Sequence, residues 1–247
     1  MANISQLKTG ISLLRWQGGK FLPKGKINPK TLGYVCPNGT INFQTAESAQ
    51  TYAKNRVMSA LHEPKPFERA VLIEDSRIIG EIDGTTHHVK LDRKILDGHK
   101  DVALVHGHPI GTPLSYDDYA TLTANDRLNS IIAYNKRGEY SKMTKRKKPF
   151  ILRLISQKVC DEIKKIRILT AESMVKATKN DWQEVIDGAV KIKKAHPDMI
   201  KEEVLATEEG KKLQDFAIRL LKKINDIWAK NERFFGIKYE TDYSKLL

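Results

Sequence analysis

The sequence predicts an α/β fold in which a mixed sheet is flanked by helices and followed by a helical C-terminal region. Two observations carry that prediction. Apolar runs of strand length, Ala70-Val71-Leu72-Ile73 and Val102-Ala103-Leu104-Val105, stand between stretches of helical period, and from Pro149 onward only the helical period remains. A chain of 247 residues is ample for a hydrophobic core in one elaborated domain, or in one domain plus a smaller one. The pattern divides into an N-terminal region over 1–62, a central domain over 63–148 and a helical region over 149–247.

Taken in order, Gly33-Tyr34-Val35-Cys36 and Thr40-Ile41-Asn42-Phe43 flank Pro37-Asn38-Gly39, a turn composition that tolerates positive φ, so a hairpin is expected. A helix follows over Thr45 to Leu61, with Ala46, Ala49, Ala53, Val57 and Leu61 near one face, and Pro64 and Pro66 stop it. Strands 69–74 and 77–82 are joined by the polar turn Asp75-Ser76. Thr86 to Leu91 reads as a further strand, in which His87 and His88 point to opposite faces and are structural. Asp92 can cap a short helix over 93–98, and Asp101 begins the buried strand that runs into His106. A helix to about Thr123 leads to strands 130–134 and 139–143, a hairpin around Asn135-Lys136-Arg137-Gly138. Helical spacing then recurs in Ile151 to Ile166, Trp182 to Lys194 and Leu213 to Trp228, with Pro197 and Gly210 as punctuation. The stripe Phe216, Leu220, Leu221, Ile224, Ile227 and Trp228 fits core packing or a neighbouring subunit equally, and the oligomeric state stays open.

The chemistry concentrates in His106-Gly107-His108-Pro109, followed by Ser115 and Asp118. Residues two apart on an extended chain share a face, so both imidazoles address one point while Gly107 faces away. Two imidazoles and a nearby carboxylate make a three-ligand set for zinc. Ser115-x-x-Asp118 has a second reading as a capping box, whose hydroxyl and acid satisfy orphan amides of a helix's first turn, and the two readings coexist.

Glu68, His106-x-His108-Pro109 and Ser115-x-x-Asp118 together resemble the signature of the JAMM (MPN+, JAB) metalloproteases, bacterial or phage type, over roughly residues 63 to 145. The resemblance implies a core like that of JAMM and cytidine-deaminase folds. It implies zinc held by His106, His108 and Asp118, with Glu68 as general acid/base and Ser115 polarising the substrate carbonyl. One departure is visible: six residues separate His108 from Ser115, one fewer than in typical members. Among the other upstream glutamates, Glu63, Glu74 and Glu81, the last two read as strand-edge residues, and Glu68 is preferred because it directly precedes the strand 69–74. The implied activity is that of a zinc peptidase or isopeptidase, in a family whose substrates are often ubiquitin or ubiquitin-like conjugates.

Charge supplies a second class of reading. Residues 1–56 carry eight basic and one acidic side chain, 57–141 ten and thirteen, and 142–168 ten and two, so the net charge of +13 comes mainly from the flanks of the motif. Lys142 and Lys145-Arg146-Lys147-Lys148 form the densest cluster, a contact for nucleic-acid phosphates or an acidic protein, or a solvated loop. A nucleic-acid-associated module resembling the RadC-like branch is therefore the alternative to the enzyme, and an inactive metal-holding scaffold is a third reading. No apolar run approaches the ~18 residues of a membrane span, and the N-terminus lacks a long apolar leader. Cys36 and Cys160 are isolated, as free thiols of a reducing compartment would be, so the expected location is cytoplasmic.

Overall fold

The computed structural model describes residues 34–35, 39–86, 88–109, 111–146, 157–199 and 201–243. The fold is α/β, with a mixed sheet and flanking helices. It forms two compact units, Met1–Gly111 with Asn125–Gly138, and Thr112–Ala124 with Glu139–Leu247.

In the first unit the strands are β1 (Tyr34–Val35), β2 (Ile41–Asn42), β3 (Arg69–Glu74), β4 (Arg77–Asp83), β5 (Val102–Gly107) and β6 (Leu128–Tyr134). They lie in the order β1-β2-β4-β3-β5-β6. β3 is antiparallel to both β4 and β5, whereas β5 and β6 run parallel. The expected N-terminal hairpin is present, with Val35 opposite Ile41. The tight turn between β3 and β4 places Asp75 at φ 52, a left-handed conformation that aspartate tolerates better than most side chains. Central strands covered on both faces require continuous apolar runs, and Val71, Leu72, Val105 and Ile131 are at most 1% exposed.

Helix α1 (Ala46–Leu61) starts where Thr45 Oγ1 accepts from the Ser48 amide at 3.1 Å. It buries Ala49, Ala53, Val57, Ala60 and Leu61, while Ala46, expected on that face, is exposed. Small residues let the helix approach the sheet closely, as it does at Gly107. A Cβ there would lie 2.9 Å from Leu61 Cδ2 and 3.0 Å from Val57 Cγ1.

The strand expected over 86–91 does not form among its described residues; His87 lies outside them. Thr85 explains the difference. Its amide donates to the His88 carbonyl at 2.8 Å and its hydroxyl meets His88 Nδ1 at 3.1 Å, a local turn that competes with a strand ladder. Asp92 does cap a short 3-10 turn over Arg93–Leu96, its carboxylate accepting from the Lys94 amide.

The second unit contains α2 (Tyr116–Ala124), β7 (Tyr140–Lys145), α3 (Gln157–Ala195), α4 (Lys201–Ala206), α5 (Glu208–Lys230), α6 (Glu232–Phe235) and β8 (Ile237–Thr241). Two departures from the sequence reading stand out. First, the expected helices up to 166 and over 182–194 belong to one continuous helix, because the intervening residues include good helix formers such as Leu169, Ala171, Glu172 and Met174 and contain no proline. The 151–156 part of that expectation lies outside the described residues. Pro197 does follow the helix end, whereas Gly210 sits in the first turn of α5, its amide donating to Thr207 Oγ1 at 3.0 Å. Second, the C-terminal region is not wholly helical. Gly236, at φ 68, ends α6, and the chain turns into β8, antiparallel to β7 with Met143 opposite Tyr239.

The core of this unit is an aromatic cluster. Tyr119, Trp228 and Phe235 have ring centroids 5.2–5.5 Å apart, and the Tyr119 hydroxyl donates to the Phe235 carbonyl at 3.0 Å. The stripe on α5 therefore serves packing within the chain at Leu220, Ile224 and Trp228, each at most 5% exposed. Part of the basic cluster is also committed internally: Lys142 faces Glu240 at 3.9 Å, and Arg146 pairs with Glu232 and donates to the Ile237 carbonyl. Lys147 and Lys148 lie outside the described residues. No described helix is long and apolar enough to cross a membrane.

Candidate metal centre

The two histidines owe their placement to strand parity. β5 extends through His106 and Gly107, and the His108 amide continues the ladder by donating to the Tyr134 carbonyl at 2.8 Å. Gly107 points to the α1 side, so the flanking imidazoles point to the other. Both rings are buried, at 2% and 7% exposure, and their Nε2 atoms are 2.9 Å apart.

That spacing constrains the chemistry. Two bare imidazole lone pairs repel at this distance, whereas a donor–acceptor tautomer pair or a shared cation is compatible with it. Two nitrogens bound tetrahedrally to one zinc at about 2.0–2.1 Å stand roughly 3.3 Å apart, within a few tenths of an ångström of the pair found here.

Asp118 and Ser115 form the expected cap at the start of α2. Asp118 Oδ2 accepts from the Ser115 amide at 2.6 Å and from the Ser115 hydroxyl at 2.7 Å, and the Asp118 amide donates back to Ser115 Oγ at 3.2 Å. A carboxylate offers about four lone-pair sites, so this cap leaves acceptor capacity for a metal bond. His106, His108 and Asp118 form a group that could hold a metal ion, each offering one ligand atom, all within 4.8 Å of one another.

Glu68 is not a member of that ligand group. It sits one residue before β3, held by its amide to the Thr85 carbonyl at 2.7 Å and by its carbonyl to the Gly84 amide at 2.8 Å. Ala70 is opposite His106 in the β3–β5 register. Extended geometry carried two residues beyond that pair on each chain would set Glu68 and His108 on the same face. The Glu68 side chain is 7% exposed, a rare condition for a carboxylate serving only as a solvated charge.

Glu81 and Glu74 have structural occupations. Glu81 accepts from the Tyr52 hydroxyl at 2.9 Å and from two nitrogens of Arg56 at 2.6 and 2.8 Å. Burial, reinforced by the Glu81 charge, pushes the Tyr52 hydroxyl pKa well up. Glu74 accepts from the Lys100 amide at 2.9 Å, meets His99 Nδ1 at 3.0 Å and pairs with Arg77. The Lys100 amide, with His99 and Arg77, holds the Glu74 carboxyl below the usual carboxylate range. Glu63 is exposed.

Sequence reasoning missed the residues that hold the loop ahead of Asp118. Leu114 is fully buried; its amide donates to Ser141 Oγ at 2.9 Å, and its carbonyl accepts from Trp228 Nε1 at 3.0 Å. The Thr112 carbonyl accepts from the Tyr243 hydroxyl at 3.0 Å. Partners up to 131 positions away leave no local spacing signal; a lone tryptophan in an amphipathic helix is the faintest of hints. Compared with protein-family models, with curated proteins and with solved structures, the chain matches none.

Proposed function

We propose that the chain is a zinc-dependent peptidase or isopeptidase of the JAMM type, hydrolysing an amide bond in a protein or peptide substrate such as a ubiquitin-like conjugate. One observation carries the reading: two buried imidazole nitrogens 2.9 Å apart belong to a His106-His108-Asp118 group that could hold a metal. The donor set of two nitrogens and one carboxylate oxygen suits zinc and leaves a fourth position open.

His106, His108 and Asp118 would hold the zinc, which when bound would supply Lewis acidity and lower the pKa of water toward about 7. Glu68, buried and two residues before the Ala70 that lies opposite His106, takes the proton of the attacking water and returns it to the departing nitrogen, so the amine leaves neutral. Ser115 orients Asp118 in the resting chain, since its one hydroxyl proton is engaged with Oδ2. Polarising a substrate carbonyl requires that proton to swing away. Asp118 then retains the Ser115 amide at 2.6 Å, so the ligand need not move.

The test is metal analysis of protein purified without chelators, combined with hydrolysis of ubiquitin-like conjugates and peptide amides. About one zinc per chain is expected, and Glu68→Gln keeps the zinc while abolishing hydrolysis. Protein that carries no zinc and takes up none would overturn the metal reading. Undiminished hydrolysis by Glu68→Gln would remove that residue from its role.

A further inference from the structure

The hydrogen bonds on the segment ahead of α2 point to a device that the proposed zinc chemistry depends on. Three side chains from distant parts of the chain each engage a main-chain group of Thr112 or Leu114. Ser141 comes from β7, Trp228 from α5, and Tyr243 from the stretch after β8. All three are at most 2% exposed. The two bonds to Leu114 are buried and the one to Thr112 partly so; buried bonds resist exchange with water, and removing the partner of a Leu114 group costs the desolvation of that group.

Ser115 and Asp118 follow directly, and Tyr119 is itself tied to the Phe235 carbonyl. The segment is thus fixed on both sides of the carboxylate, by residues that are neither metal ligands nor acid-base groups. We propose that Ser141, Trp228 and Tyr243 are positioning residues for zinc, clamping Thr112–Leu114 so that Asp118 presents its carboxylate as a ligand. This rests on the metal reading above. It makes β7, α5 and the residues after β8 part of the centre's outer support, as partners around metal ligands commonly are.

Zinc affinity of the full chain, measured by competition with a chromophoric chelator, tests the clamp. Tyr243→Phe and Ser141→Ala each remove one hydroxyl and little volume, and each is expected to weaken zinc about 10-fold or more with the circular dichroism spectrum unchanged. Ile224→Ala is the control: it opens a cavity in α5 at a residue 5% exposed that makes none of these bonds, and zinc affinity should hold. Wild-type affinity in both hydroxyl variants, or an equal loss in Ile224→Ala, overturns the proposal. Amide hydrogen exchange over Ser115–Tyr119 in zinc-free protein supplies an independent reading. It should quicken in Tyr243→Phe and not in Ile224→Ala. If the wild type takes up no zinc, the metal reading falls, and unchanged exchange in Tyr243→Phe then overturns the clamp as well.

Discussion

The strand that carries the histidines and the helix that carries the aspartate reach comparable precision by opposite routes. On β5, consecutive residues do the work: the pleat sends His106 and His108 one way and Gly107 the other, and α1 fits against the gap where a Cβ is missing. On α2 the local element is only nine residues long, and its setting comes from Ser141, Trp228, Phe235 and Tyr243. Local alternation constrains a site cheaply, whereas a short helix at the end of a loop needs long-range bonds to hold it still.

The sharpest way to test that contrast is to delete a candidate ligand from each side. His106→Ala and Asp118→Ala are both expected to reduce bound zinc from about one per chain to none detectable by metal analysis, because two remaining ligands no longer make a site. Retention of zinc by Asp118→Ala alone would mean that only the strand matters. Next in size, Trp228→Ala removes a fully buried indole together with the donor to Leu114, and should cost about 3–5 kcal/mol in denaturant unfolding. A loss under about 1 kcal/mol would show that the aromatic cluster of the second unit is loosely packed. Gly107→Ala inserts a methyl group 2.9 Å from Leu61, and overpacking of this kind costs about 1–3 kcal/mol. Leu61→Ala in the same chain should recover part of that cost; failure to do so would locate the strain elsewhere.

The smallest effect expected is on pH dependence. Glu74 has a pKa lowered on folding, so its contribution to stability is fully present above the ordinary glutamate range and is lost as pH falls through the lowered value. Unfolding measured from neutral to acid pH should therefore show a shallower acid loss in Glu74→Gln than in the wild type. Identical acid profiles would mean that the Lys100 amide, His99 and Arg77 do not distinguish the charged carboxylate after all.

The histidine pair was legible because its information is local. An apolar run names a strand, parity assigns its faces, and a capping pattern names the start of α2. Glu74 and Glu81, read as strand-edge residues, are engaged by Lys100, His99 and Arg77 and by Arg56 and Tyr52 respectively. The strand expected around His88 failed because a Thr85 turn captured the backbone first. The uninterrupted α3 and the late strand β8 were missed for a common reason: propensity marks where a helix is permitted, while packing decides whether it continues or yields to sheet.

By itself, the order of residues determined the α/β class, the strand that bears the two imidazoles and the capped turn that bears the carboxylate, because each is written within a few neighbouring positions. Only the tertiary structure decided which aromatic and hydroxyl side chains hold Thr112–Leu114 in place. Those partners are joined by hydrogen bonds spanning 27 to 131 positions, and no periodicity along a chain encodes a contact that exists only after the chain has folded back on itself.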